Sequence, residues 1–220
     1  MCWLMVLPVF RLLLRGRTAG LANVPLRGGM VVVANHGSHL DPPSLGCSLR
    51  RPVAFMAKEE LFRVPLLGPI IRSCGAYPVA RGASDRGAVR AACERIAEGW
   101  ATGVFLDGTR QPDGRVNHPH DGAAYLAARM GVPLLPVVIV NSHRALGPGQ
   151  SRLRLVPVHV RIGTPIPPPA SPRSAEVKAA TAALQAEINR LLDEGLIQTP
   201  LFAAATPPAL APPTPADPGH

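Results

Sequence analysis

Two short runs constrain the fold more than anything else in this chain. Met30–Ala34 reads MVVVA and Leu134–Val140 reads LLPVVIV, and neither contains a polar side chain. A strand with water on one face alternates apolar with polar residues. An unbroken apolar, β-branched run suits a strand buried on both faces. Further strands are predicted over residues 52–56, 77–80, 103–106 and 153–162. Between them lie helical patterns. Asp41-Pro42-Pro43 reads as a helix start, with Asp as the cap and Pro at the first helical position. Residues 85–100 carry helical spacing through Val89, Ala92, Cys93, Ile96 and Trp100. Gly122–Met130 is alanine-rich and is followed by Gly131, a C-terminal stop. Residues 174–192 form a last amphipathic helix. This alternation predicts one α/β domain, a mixed sheet covered by helices on both faces.

The 220 residues are enough to bury the core of one domain. We expect three parts: an apolar and basic membrane-contact segment over 1–20, the folded domain over 21–198, and a tail over 199–220. The tail is nearly all alanine and proline and is expected to be disordered, following a GTPIPPPASPR connector and the last helix. The first fourteen residues are apolar apart from Pro8 and Arg11, too short for the roughly 20 residues of a bilayer span. Their arginines, Arg11, Arg15 and Arg17, come within or after the apolar stretch, whereas a signal peptide places its charge first. Two readings fit: a helix lying in the membrane interface through Trp3, Leu4, Val6, Leu7, Phe10, Leu12 and Leu13, or a core helix with a basic end.

The net charge is +9, and of the 23 basic residues only Lys58 and Lys178 are lysine. Such a chain suits an anionic partner: nucleic acid, phospholipid head groups or a phosphorylated substrate. With 4% aromatic residues and no basic run interleaved with them, the stacking pattern of nucleic-acid binding is missing. Cys2, Cys47, Cys74 and Cys93 form no CxxC pair and match no zinc spacing, as in a reducing compartment.

The chemistry concentrates in Asn35-His36-Gly37-Ser38-His39-Leu40-Asp41, where a strand delivers a histidine to a polar loop and a carboxylate follows five residues on. Histidine is suited to taking a proton near neutral pH, and an Asp bonded to one ring nitrogen would fix its tautomer. Five residues apart on one helix, the two would lie on different faces, so a loop-to-helix bend is needed to join them. Asp41 also suits a helix cap and His36 an ordinary polar loop position. Asn35 and Gly37 are expected to shape the loop. His36, His39 and Asp41 do not have the spacing of a metal site, and no metal is expected.

NHGSHLDPP resembles the first signature block of the glycerolipid acyltransferases, typified by the bacterial lysophosphatidate acyltransferases. Three more blocks follow in that family's order: GAYPVAR at 75–81, VFLDGTR at 104–110 where the family usually has FPEGTR, and VPLLPV at 132–137. The resemblance covers roughly residues 25–165. It implies an enzyme that moves a fatty acyl group from acyl-CoA or acyl-carrier protein to the hydroxyl of 1-acylglycerol 3-phosphate, giving phosphatidate, with no cofactor beyond that co-substrate. His36 and Asp41 would be catalytic. Arg81, Arg110 and Lys58 would bind the substrate phosphate, and Asp107, Gly108 and Thr109 would position the substrate. The protein would work as a peripheral protein on the cytoplasmic face of the cell membrane, with lysophospholipid, acyl donor and bilayer surface as partners and no nucleic acid. Other acceptors, such as glycerol 3-phosphate or another lysolipid, and a catalytically silent lipid-binding relative stay open. Two departures bear on the acceptor. Asp107 replaces the usual Glu, and Pro119-His120-Asp121-Gly122 stands where the family often has Phe-Lys-x-Gly.

Overall fold

The computed structural model describes residues 7–65, 67–73, 75–79 and 85–197. Seven strands form one sheet: β1 (Arg17–Ala19), β2 (Met30–Ala34), β3 (Val53–Lys58), β4 (Tyr77–Val79), β5 (Ala101–Phe105), β6 (Leu134–Val140) and β7 (His159–Ile162). Their spatial order is β1-β7-β6-β2-β5-β3-β4. The five strands from β6 to β4 run parallel, and β7 turns antiparallel to β6, with β1 parallel to β7. The helices are α1 (Asp41–Ser48), α2 (Leu67–Ser73), α3 (Asp85–Ala97), α4 (Gly122–Met130), α5 (Ser142–Leu146) and α6 (Ser174–Ile197).

The two apolar runs occupy the centre of this sheet, as their composition demands. Successive β2 residues point to opposite faces. Met30, Val32 and Ala34 join one core with Phe10, Leu14, Leu45 and Leu135, while Val31 and Val33 join a second with Ile96, Leu126, Leu184 and Ile188. Helices α3, α4 and α6 cover the second face. The first is covered by α1, α5 and the chain before β1. The predicted α/β architecture, helix-covered on both faces, is therefore the observed one.

Some elements depart from the sequence reading. Helix α3 ends at Ala97 rather than at 100, because Gly99 adopts φ +84 and reverses the chain. The ladder expected over 153–162 forms only from His159 onward. Pro157 lacks an N–H, and the Arg154 and Val156 amides donate instead to Ala145 O and Arg154 O, leaving 151–155 exposed.

The N-terminal segment splits. Its residues Val9–Leu13 wind as a π-helical turn from which Phe10 and Leu14, each 2% exposed, enter the first core. Phe10 thus faces the interior rather than a membrane interface, whereas Leu12 and Leu13 are exposed. Strand β1 then adds to the sheet edge, so residues 17–19 are structurally part of the domain. Trp3, Leu4, Val6 and the 199–220 tail lie outside the described residues. Among the described residues, no helix is long and apolar enough to cross a membrane.

Candidate active site

Strands β2, β5, β3 and β4 are parallel, so the residues after each of them emerge at the same sheet edge, the usual place for ligands in an open α/β sheet. Two of the signature blocks lie there, the loop after β2 and the DGTR turn after β5, and the second block holds β4, which runs toward the same edge. Main-chain bonds lock the first to the third. Leu106 N donates to Ala34 O, and Gln111 N donates to His36 O at 2.7 Å.

The bend between β2 and α1 joins the histidine to the carboxylate. His36 Nδ1–H donates to Asp41 Oδ2 at 2.8 Å, with the Asp41 side chain fully buried and that of His36 16% exposed. The same oxygen accepts the Gly37 and Ser38 amides, each at 2.7 Å. Asp41 is the first residue of α1 and makes no cap bond to it. Its carboxylate turns back into the loop instead. Asp41 Oδ2 thus takes three donors, and the bond to Nδ1 fixes the tautomer that leaves the Nε2 lone pair free. Asp41 Oδ1 is buried without a partner.

The floor of the loop is a fully buried asparagine. Asn35 Nδ2 donates to Gly114 O at 2.7 Å and Ile139 O at 3.1 Å, and its Oδ1 accepts Ile139 N at 2.8 Å. Asn35 thereby joins the loop, β6 and the turn at Gly114. The Ser38 hydroxyl donates to Leu146 O at 2.7 Å, tying the loop to the end of α5.

Two residues that the sequence reading did not single out complete the surroundings. Phe105, the last residue of β5, stacks on the His36 ring. His143, on α5, fills a space that only glycines leave open. A Cβ on Gly37 would stand 2.9 Å from His143 Cβ, and one on Gly114, at φ +71, would stand 2.5 Å from its Nδ1. That Nδ1 is buried without a hydrogen-bond partner. Burial, and secondarily the Arg144 charge, push the His143 pKa down. The register of β5 against β2 points to Phe105 only once strand pairing is known, and nothing in the local sequence marks His143.

The remaining predicted site residues are placed unequally. Asp107 is buried, and its carboxylate accepts His118 N at 2.8 Å and Asn117 N at 3.2 Å. It closes the 107–118 loop from inside. Gly108, at φ +64, and Thr109 are exposed at the turn. Arg110 is half-buried and, among the described residues, has no ion-pair or hydrogen-bond partner. Its neighbour Gln111 is the residue bonded to the His36 carbonyl, which sets the Arg110 backbone beside the histidine. Lys58 ends β3 and its side chain lies outside the described residues, as does Arg81. The β4 edge that leads to Arg81 is three strand positions from β2, roughly 14 Å. Among the described residues, no cluster of His, Cys, Asp and Glu could hold a metal ion.

Comparison with known proteins finds 1-acyl-sn-glycerol-3-phosphate acyltransferases. The chloroplastic 1-acyl-sn-glycerol-3-phosphate acyltransferase of Brassica napus is 31% identical over 133 residues, 59% of this chain and 38% of that protein. The 1-acyl-sn-glycerol-3-phosphate acyltransferase of Bacillus subtilis is 30% identical over 116 residues, covering 52% of this chain and 57% of that protein. The chain thus spans between about two fifths and three fifths of these relatives' length. The crystal structure of the 1-acyl-sn-glycerophosphate acyltransferase PlsC from Thermotoga maritima superimposes with a TM-score of 0.72 at 28% identity, over 86% of this chain and 78% of that one. The family model described as Acyltransferase matches residues 15–140, which hold the His36–Asp41 pair, the β5 turn and the central strands, and the chain belongs to that family.

Proposed function

We propose that this chain transfers a fatty acyl group from acyl-CoA or acyl-carrier protein to the free hydroxyl of 1-acylglycerol 3-phosphate, giving phosphatidate. The observation that carries the reading is the 2.8 Å bond between His36 Nδ1 and Asp41, at the sheet edge and with the imidazole partly open to solvent. Nε2 of His36 accepts the proton of the acceptor hydroxyl as its oxygen attacks the thioester carbonyl. The buried carboxylate stabilises the imidazolium so formed. The tetrahedral intermediate collapses, the C–S bond breaks, and the leaving thiolate takes the proton back from Nε2. No acyl-enzyme is required. The Gly37 and Ser38 amides are committed to Asp41, so the oxyanion takes its donors from elsewhere at this edge.

Arg110, half-buried and without a partner among the described residues, is the described cation best placed for the acceptor phosphate. Arg81 and Lys58 join it in this reading on the strength of the matched blocks. Asp107 acts through the loop it closes, holding Gly108, Thr109 and Arg110 in register. An acceptor with a lipid tail is reached most readily from the bilayer surface, because extraction costs about 0.8 kcal/mol per exposed CH₂. The protein therefore works as a peripheral protein at the cytoplasmic face, with Leu12 and Leu13 of the N-terminal segment in contact with the membrane.

The test is a purified full chain incubated with labelled acyl-CoA or acyl-carrier protein and a panel of acceptors, followed by lipid analysis. Labelled phosphatidate from 1-acylglycerol 3-phosphate is expected. Transfer to glycerol 3-phosphate or another lysolipid in preference would move the acceptor, and no transfer to any would overturn the reading.

A further inference from the structure

The segment that fails to join the sheet alternates arginine with leucine. Residues 151–155 read Ser-Arg-Leu-Arg-Leu and all five are exposed, Leu155 at 66% and Leu153 at 40%. Beside them runs the N-terminal turn, where Leu12 is 76% and Leu13 47% exposed between the exposed Arg11 and Arg15. The two segments meet where Val158 N donates to Leu14 O at 2.9 Å, just before β1 and β7 pair. Four exposed leucines and four exposed arginines therefore flank this one main-chain contact. No acid interrupts them in the sequence: none occurs before Asp41, and none between Asp121 and Glu176.

We propose that residues 151–155 form, with Leu12 and Leu13, a surface that seats on an anionic lipid bilayer. Charge complementarity selects this occupant. Leucines enter the acyl boundary while arginine guanidinium groups meet lipid phosphates. The surface is also wired to the catalytic loop. Ser38 Oγ donates to Leu146 O, and Arg154 N donates to the carbonyl of the preceding residue, Ala145. Two hydrogen bonds thus separate the lipid-facing arm from the loop that carries His36. This goes beyond contact through the N-terminal segment, since it gives the membrane a second, sequence-distant hold. It does not depend on which acceptor is used.

Two double variants of the full chain test it, Leu153→Ser with Leu155→Ser and Arg152→Gln with Arg154→Gln. Each is co-sedimented with vesicles of three parts phosphatidylcholine to one part phosphatidylglycerol, and with phosphatidylcholine alone. Both should bind the anionic vesicles on the order of tenfold more weakly than the parent. The leucine difference should persist at high salt and the arginine difference should fade. Should the leucine pair melt early, the arginine pair carries the test. The vesicles contain no substrate, so a parent without acyltransferase activity would still show the shift. Turnover of a short-chain, monomeric acceptor should be unchanged in both variants. Parental vesicle affinity in both pairs would overturn the proposal. So would loss of turnover on the soluble acceptor, or a parent dimer that the leucine pair dissociates without any change in vesicle binding.

Discussion

The imidazole of His36 lies flat against the phenyl ring of Phe105, with ring centroids 4.0 Å apart and planes at 16°. The contact follows from register, since Ala34 pairs with Phe105 across β2 and β5 and His36 lies two residues further on. Phe55 stacks behind Phe105 at 5.8 Å, in a space that Gly103 leaves by having no side chain. Asp41 fixes one edge of the imidazole and Phe105 fixes its plane, so Nε2 has one direction in which to point.

Phe105→Ala should therefore lower kcat by about tenfold with little change in KM, because a proton acceptor that swings loses orientation rather than binding. Steady-state kinetics with the parent and Phe105→Leu alongside would show it. Equal kcat in Phe105→Ala and the parent would mean that Asp41 alone orients the ring.

His36→Gln should reduce turnover by roughly 10²- to 10⁴-fold in a protein that melts near the parent temperature. Asp41→Asn should approach that loss and also destabilise the fold, because its carboxylate holds both the Gly37 and Ser38 amides. Single-turnover rates and thermal melts separate the two effects. A well-folded His36→Gln protein with near-parental turnover would remove His36 from the mechanism.

Asn35→Leu should cost about 3 kcal/mol or more in urea unfolding. It orphans two carbonyls and one amide in a site with no exposure. A variant within half a kcal/mol of the parent would show that water replaces the amide.

Arg110→Ala should raise KM for a phosphorylated acceptor by roughly ten- to a hundredfold, the loss of one charge-assisted contact. It should leave KM for the acyl donor nearly unchanged. The penalty should shrink for an acceptor lacking the phosphate; the same penalty with and without it would assign Arg110 a structural role.

The depressed pKa values of His143 and His159, each caused first by burial and then by a neighbouring arginine, set a pH dependence of stability. Below the ordinary value of 6.5 the unfolded chain takes up protons that the folded histidines refuse, so stability is fully present above that pH and is lost as pH falls through it. Urea midpoints near pH 7.5 and 5.5 should differ in that direction, and His143→Gln should narrow the gap. An identical gap in His143→Gln would show that His143 does not contribute.

Legibility tracked the range of the interactions involved. The unbroken apolarity of Met30–Ala34 and Leu134–Val140 was enough to place two central strands, because burial on both faces is a local property of composition. The His36–Asp41 pair was visible as a spacing, but the bend that closes it depends on the Gly37 and Ser38 amides turning toward one carboxylate oxygen. Phe105 and His143 were invisible for a different reason. Their roles arise from strand pairing and from the space left by Gly37 and Gly114, and neither has a local signature. The sequence reading also carried a strand across 153–158, where Leu153 and Leu155 turned out to face solvent while Val156 and Val158 pack on the first core. Alternating Arg and Leu looks the same whether one face meets a core or another surface.

The pairing of β1 with β7 bears on how the chain is made. Arg17 lies opposite His159, so β1, the first of the described strands, meets its neighbour only after the other five described strands have been made. Until β7 leaves the ribosome, the N-terminal turn with Phe10 and Leu14 has no sheet edge to close on. β2, β5 and β3 can assemble earlier from the middle outward. Contacts of such long sequence separation form slowly. Completion of the edge that carries the exposed leucines therefore waits until the other described strands have been made.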